Sequence, residues 1–179
     1  MDRRPRLPSM IVLMAGLPGT GKSTLARALA AQCPGVVLDK DEIRSVLFPP
    51  AYLEYSAVQD DFCQTVMFET AKYLLARHPD LRIFIDGRTF SRAYQLQNAL
   101  AAATSLSTPC RIIECVCSEE TARLRLDQTR ASHPAQNRTY ELYKRLQAEF
   151  DLIPEPKLVV DTDSRLEDSV AAALAYLSS

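Results

Sequence analysis

Short apolar runs alternate along the chain with longer stretches in which apolar positions recur every three or four residues. Met10–Ala15 is apolar throughout, as a parallel strand buried on both faces should be. Gly21–Cys33 places Leu25, Ala28 and Leu29 on one face and predicts a helix, stopped by Pro34-Gly35. Val36–Leu38 predicts a second strand, and Asp41–Phe48 a short helix ended by Pro49-Pro50. Ser56 opens a long helix, with Gln59 completing a capping-box pattern. Val58, Phe62 and Val66 step by four along its expected buried face, and His78-Pro79-Asp80 ends it. Leu81–Ile85 reads as a strand ending at Asp86-Gly87, and Ser91 as the cap of a helix to about Ala103. Cys110–Cys117 predicts a strand, and Ser118, Glu119 and Glu120 start the next helix with acids at the positive end of its dipole. Thr129–Asn137 breaks the pattern. Arg138–Phe150 is helical again, with Leu142, Leu146 and Phe150 aligned. Lys157–Val160 is the last strand, and Ser164 with Glu167 patterns a capping box for the final helix.

Five apolar strands joined by helical crossovers imply an α/β three-layer sandwich: a parallel sheet of about five strands with helices on both faces. The chain has 179 residues, 47% of them hydrophobic, which suits one domain over 10–179. Residues 1–9, with Arg3, Arg4 and Arg6, read as a flexible basic tail. The apolar run after it is too short for a signal peptide's core, and nothing approaches the roughly 20 apolar residues of a membrane helix. The net charge of −1 removes the global attraction to a phosphate backbone that most nucleic-acid binders show, while still allowing a local basic cleft. Five cysteines, with no CxxC pair, and only His78 and His133 beside them argue against a disulfide framework or a zinc site. Reduced thiols and a cytoplasmic enzyme are expected. Cys115 and Cys117, two apart in an expected strand, read as core residues on one face.

The chemistry begins at Gly16-Leu17-Pro18-Gly19-Thr20-Gly21-Lys22-Ser23, which fits G-x-x-x-x-G-K-[ST] between a strand and a helix. Glycines allow a tight loop whose N–H groups, with the helix N-terminus, cradle anions. Gly16, Gly19, Thr20, Gly21, Lys22, Ser23 and Thr24 are therefore the candidate nucleotide-binding residues. Lys22 reaches the β- and γ-phosphates, and the Ser23 hydroxyl can ligate Mg²⁺. A GTPase would add DxxG and NKxD elements, which are absent; Asn137-Arg138-Thr139-Tyr140 does not qualify. A mechanical ATPase usually ends a strand in Asp-Glu, whereas here the third strand ends Ile85-Asp86-Gly87. A kinase, in which a substrate hydroxyl replaces water, remains. Asp86 would bind Mg²⁺ through water or order Lys22 and Ser23, unless it is only a strand-end turn acid.

GLPGTGKST, Asp39-Lys40-Asp41-Glu42-Ile43-Arg44, Tyr52 with Tyr55-Ser56, and Ile85-Asp86-Gly87-Arg88-Thr89-Phe90 with Arg92 resemble the small P-loop kinases over about residues 10 to 160. That group includes polynucleotide 5′-kinase domains, chloramphenicol phosphotransferase and zeta-toxin-type kinases. The resemblance implies that Asp41 orients or deprotonates the acceptor hydroxyl and that Arg44 holds an anionic or polar part of the acceptor. The residues alone equally allow Asp41 to cap a helix and pair with Arg44 at i+3, and Asp39 to be the cap or the base. Arg88 is placed to touch acceptor or phosphate. Tyr52, Tyr55, Asp60 and Asp61 either shape the acceptor pocket or belong to the core. A lid is expected over about 123–138, in which Arg125 and Arg130, with Arg138 third, neutralise transition-state charge; a solvated arginine face is the plainer alternative. His133 in that loop reads as incidental.

These features point to an ATP- and Mg²⁺-dependent kinase acting on a hydroxyl of a small molecule. A 5′-hydroxyl polynucleotide kinase is one alternative. A nucleotide-binding regulatory or toxin-like module is another.

Overall fold

The computed structural model describes residues 9–129, 133–135, 137–154 and 156–179. The strands are β1 (Met10–Ala15), β2 (Gly35–Asp39), β3 (Arg82–Asp86), β4 (Cys110–Val116) and β5 (Leu158–Asp161). The helices are α1 (Lys22–Ala30), α2 (Lys40–Leu47), α3 (Ala57–Leu75), α4 (Ala93–Ser105), α5 (Glu119–Thr129), α6 (Tyr140–Ala148) and α7 (Leu166–Tyr176), with a 3-10 turn at Pro50–Tyr52. The strands form one sheet in the order β2-β3-β1-β4-β5, and every pairing is parallel.

Central β1 is buried along its whole length, which is why it reads as an unbroken apolar run. Successive side chains point to opposite faces. Ile11, Leu13 and Ala15 join Ile83 and Ile85 in a core closed by Met67 and Ala71 of α3 and Leu96 and Ala99 of α4. Met10, Val12 and Met14 join Phe84 in a second core under Leu25 and Leu29 of α1 and Val170 and Ala173 of α7. Two independent apolar faces make the three layers. All strands run the same way, so their carboxyl ends share one edge, where open α/β sheets bind ligands.

Several local expectations shift. Val58 and Phe62 are 78% and 54% exposed. The buried face of α3 lies one position later, on Gln59, Cys63, Met67 and Ala71. Gln59 fixes that rotation: its side chain accepts from the Glu54 N–H at 3.1 Å and donates to the Tyr52 carbonyl at 2.9 Å. Ser56 does cap α3, accepting from Gln59 N–H at 3.2 Å. Ser91 does not cap α4; the Ala93 N–H donates instead to Asp151 at 2.8 Å, a partner distant in sequence. The final helix has no side-chain cap at its Arg165 N-cap, and Glu167 pairs with Arg165 rather than reaching back to Ser164. Cys115 is buried in β4, but Cys117 falls beyond the strand and is half-buried, with Sγ 3.9 Å from the Gly19 carbonyl. Burial raises the pKa of every thiol, to about 12 for Cys110 and Cys115. The expected basic tail lies, apart from residue 9, outside the described residues. No helix among the described residues is long and apolar enough to cross a membrane.

Candidate active site

The glycine loop joins β1 to α1 at the ligand-facing edge of the sheet. Gly16 has φ 127°, and a Cβ there would lie 2.2 Å from the Cys115 carbonyl oxygen, so the loop can hug β4 only with glycine at that position. Thr20 Oγ1 donates to the Leu17 carbonyl at 2.7 Å. Lys22 Nζ donates to the Gly16 and Leu17 carbonyls at 2.9 and 2.7 Å, which holds its ammonium inside the loop. Burial pulls the Lys22 pKa down to about 8; Asp86 opposes that shift and Arg138 reinforces it.

Asp86 ends β3 fully buried, and neither carboxylate oxygen has a hydrogen-bond partner among the described residues. A buried carboxylate without donors is costly unless a cation or water completes it. The donor types fit Mg²⁺: hard oxygens from the Asp86 carboxylate and the Ser23 hydroxyl, with the remaining ligands left to phosphate and water. Asp39 is the register partner of Asp86 at the end of β2. Its Oδ1 accepts from the N–H groups of Asp41 and Glu42 at 2.9 and 3.4 Å, so Asp39, not Asp41, caps α2. Burial first, then repulsion from Asp86 and Asp41, pushes the Asp39 carboxyl up to about 6.

Two cavities meet at the loop. The larger, about 710 Å³, lies along Gly19, Gly21, Thr24, Arg27, Arg125 and Thr162. The smaller, about 280 Å³, lies along Lys40, Asp41, Arg44, Asp60, Arg88 and Arg145. Lys22, Ser23, Asp39, His133 and Arg138 line both. These five side chains stand where the two cavities meet.

The sequence-identified Asp41 and Arg44 stand together in the smaller cavity. Arg44 Nη1 donates to Asp41 Oδ1 at 2.8 Å, Lys40 Nζ approaches the same oxygen at 3.3 Å, and Arg44 also pairs with Asp60. The i+3 pairing and a place in the cavity are thus both real. Tyr55 lies with its ring centre 5.3 Å from the Arg44 guanidinium, on left-handed backbone at φ 51°. Arg88 donates to Gln64 Oε1 at 2.8 Å and lies 2.6 Å from Asp61. Tyr52, by contrast, is exposed.

On the lid side, Arg125 donates to Thr162 Oγ1 and carbonyl at 2.9 and 2.8 Å and lies 3.5 Å from the Gly19 carbonyl. Both terminal nitrogens are thus tied to the wall of the larger cavity. Arg130 lies outside the described residues. Arg123 stacks over Tyr140 on the surface. Arg138 lines both cavities and donates to Thr129 Oγ1 at 3.5 Å; burial lowers its pKa and attraction to Asp41, Asp86 and Asp39 opposes that shift. His133 stands there too; its Nδ1 accepts from the Ala135 N–H at 3.0 Å, and burial and Arg138 lower its pKa. Sequence reasoning passed over Lys40 and Thr162. Each directly follows the last residue of a parallel strand, or lies one residue from it, and that rule alone could have marked them.

The sequence profile of the AAA domain family matches residues 11–153. No curated protein sequence matches the chain significantly. Among solved structures, the APS kinase CysC of Mycobacterium tuberculosis, in complex with AMPPNP and APS, superposes with TM-score 0.70 at 18% identity, covering 98% of this chain and 100% of that one. A gluconokinase from Sinorhizobium meliloti 1021 gives TM-score 0.65 at 16% identity over 96% and 93% of the two chains. Kti12 of Chaetomium thermophilum, in complex with ADP-AlF3, gives 0.66 at 17% identity over 95% and 99%. At these identities the likeness is one of fold, and the fold is that of the small P-loop kinases.

Proposed function

The chain belongs to the AAA domain family, and from that premise we propose that it is a kinase that transfers the γ-phosphate of ATP, with Mg²⁺, to a hydroxyl of a small molecule. The observation that carries this reading is the pair of cavities meeting at Lys22, Ser23 and Arg138, with Asp41 and Arg44 in the smaller one only. A nucleotide hydrolase needs one such cavity and a water; a kinase needs two that converge on the transferring phosphate. The solved kinases of like fold, whose names specify APS and gluconate as acceptors, agree with a small second substrate.

In this reading the nucleotide fills the larger cavity, its phosphates lying against the loop N–H groups and Lys22. Arg125, fixed by Thr162 and Gly19, walls the nucleotide side. Asp86 and Ser23 would hold the metal, which when bound would neutralise charge on the phosphates. The acceptor hydroxyl oxygen forms its bond to the γ-phosphorus as the bond to the bridging oxygen of ADP breaks, and its proton passes to Asp41. Asp39 is less suited to that task because both its oxygens are engaged, Oδ1 by the α2 N-terminus and Oδ2 by Arg27 at 3.5 Å, whereas Asp41 is held through Oδ1. Arg138 and Lys22 stabilise the charge on the transferring group. In a loose phosphoryl transition state, positioning and electrostatics supply most of the catalysis.

A screen of ADP release or ³²P transfer across hydroxyl metabolites, antibiotics and 5′-hydroxyl oligonucleotides tests this, with Lys22→Ala as control. Transfer that depends on a small acceptor and on Lys22 is expected. ATP turnover indifferent to every acceptor but raised by a protein partner would favour a regulatory module instead. That second reading draws on the apolar side chains exposed at α2, α3 and the 3-10 turn between them, Val46, Tyr52, Val58 and Phe62.

A further inference from the structure

The smaller cavity carries more cation than its own ion pairs need. Lys22, Lys40, Arg44, Arg88, Arg138 and Arg145 line it, against Asp39, Asp41 and Asp60 within it and Asp61 behind Arg88. The depths are unequal. Arg44 and Arg88 are 2% and 3% exposed, whereas the side chains of Asp60 and Asp61 are 23% and 47% exposed. Water screens the carboxylates more than the guanidiniums, so the field inside the cavity is positive.

Arg88 is the residue that turns this excess into a binding statement. It follows β3 by two positions and is clamped from outside the cavity by two residues of α3: Nη1 donates to Gln64 Oε1 at 2.8 Å, and Nη2 lies 2.6 Å from Asp61 Oδ1. Yet Nε and Nη2 make no hydrogen bond of ordinary geometry among the described residues. A nearly buried guanidinium whose Nη2 is held by Asp61 but whose Nε has no partner among the described residues is costly unless a ligand completes it. Its fork matches an oxyanion with two oxygens in a plane, a carboxylate or a phosphate monoester.

We propose that the acceptor is itself an anion, a small hydroxylated molecule bearing a carboxylate or phosphate monoester that Arg88, supported by Lys40, binds in the smaller cavity. This rests on the kinase reading for the word acceptor, and on the cavity's charge for the word anion. Arg88 is here a specificity residue: it selects the substrate and leaves the chemistry at Asp41 and Lys22 unchanged. The modest volume of about 280 Å³, beside 710 Å³ for the nucleotide side, keeps the occupant small.

The test is calorimetric binding to protein saturated with a non-hydrolysable ATP analogue and Mg²⁺, so that the phosphate loop is filled. The probes are D-gluconate for a carboxylate and glycerol 3-phosphate for a phosphate, with D-glucitol and glycerol as neutral counterparts. At least one anionic probe should bind at millimolar concentration or better while its neutral counterpart does not. Arg88→Gln should weaken that binding on the order of tenfold to a hundredfold, the worth of one charge-assisted contact. Asp61→Asn keeps Arg88 but removes its outer carboxylate, so anion binding should persist or tighten. If Arg88 only staples α3 to the strand end, both variants lower the melting temperature and neither changes anion affinity; that result overturns the proposal. So does failure of every anionic probe to bind, or equal binding of both members of each pair. ADP release in the wide acceptor screen reads the kinase assignment separately. Anion binding without any turnover removes the phosphotransfer reading and leaves this one standing, and equal turnover of neutral and anionic acceptors does the reverse.

Discussion

Asp39 and Asp86 stand side by side as register partners at the carboxyl ends of β2 and β3, both buried, one capping α2 and the other without a hydrogen-bond partner among the described residues. Two adjacent buried carboxylates repel each other, and the arrangement is stable only with positive charge nearby. Lys22 supplies some of it. Arg138 supplies more, and in the proposed kinase a cation bound with the nucleotide would add to it. Even the backbone gives way to this pair: at Gly87, with φ 83°, a Cβ would lie 2.8 Å from Asp39 Oδ1.

The orphaned oxygens of Asp86 make the metal dependence measurable without an acceptor. ATP should raise the melting temperature of the wild-type protein more with Mg²⁺ than with EDTA. Asp86→Asn should erase that difference while leaving a smaller, metal-independent rise from the phosphate loop. An undiminished Mg²⁺ increment in the variant would remove Asp86 from the metal site.

Asp39 predicts a pH dependence of the ligand-free protein. Its carboxyl, raised to about 6 in the fold, holds its proton more tightly there than in the unfolded chain. Stability attributable to this group is therefore greatest at low pH, falls as pH rises from about 4 to about 6, and stays diminished above. Asp39→Asn retains the oxygen that caps α2 and removes the charge. It should stabilise the protein at pH 8, by about 1–3 kcal/mol, and change little at pH 4. A uniform loss of stability at both pH values would mean that the carboxylate's cap, not its repulsion by Asp86, governs this site.

What could be read in the chain follows from how local each determinant is. The phosphate loop and β1 are contiguous, and their chemistry is written in adjacent residues, so Gly16–Ser23 and Met10–Ala15 stand where the sequence puts them. The pairing of Asp41 with Arg44 is also local, at i+3. The α4 cap was illegible because Asp151 arrives from the far end of α6. The buried face of α3 was misread because Gln59 turns the helix through contacts to the preceding loop, leaving Val58 and Phe62 outward. Arg125 and Arg138 share a residue type and a region, and only the fold separates the one tied to Thr162 from the one at the cavity junction.

Lys22 should be essential for transfer and dispensable for folding. Lys22→Ala should cut turnover on the order of 10²–10³ or more, with an unchanged circular dichroism spectrum. Because its pKa is lowered to about 8, the ligand-free protein loses this ammonium in mildly alkaline solution. Anion binding needs the protonated form, so ATP affinity should fall between pH 7 and pH 9, by up to about tenfold per pH unit above 8. In Lys22→Ala that slope should vanish. A slope preserved in the variant would assign the titration to another group.

Arg125 and Arg138, in the segment expected to form the lid, should separate kinetically. Arg125 has its terminal nitrogens on Thr162 and Gly19, at the wall of the nucleotide cavity. Arg125→Ala should weaken ATP binding and raise its KM while kcat changes less than threefold or so. Arg138 lies among Asp41, Asp86 and Lys22 at the junction. Arg138→Ala should lower kcat by a factor on the order of 10² and leave ATP affinity nearly intact. The reverse pattern would restore Arg125 to the transferring phosphate.

Asp41 carries the remaining distinction, between chemistry and structure. Asp39 accepts the α2 N–H groups, so the capping explanation for Asp41 is already taken by its neighbour. What Asp41 still does structurally is neutralise Arg44 and Lys40, two buried cations. Asp41→Asn keeps an oxygen for Arg44 Nη1 but loses both the charge and the ability to take the hydroxyl proton. If Asp41 is the base, the variant should bind ATP with wild-type affinity and lose most phosphoryl transfer, with kcat falling by about 10²–10⁴. If it is only a counter-ion, the melting temperature should drop and the rate per folded molecule should hold. Arg44→Ala supplies the contrast: loss of an anchoring contact raises the acceptor KM more than it lowers kcat. Comparing kcat, KM and melting temperature for the two variants therefore assigns each role from a pattern. Asp41→Asn with full transfer would return the proton to solvent or to Asp39, leaving positioning alone to drive the reaction.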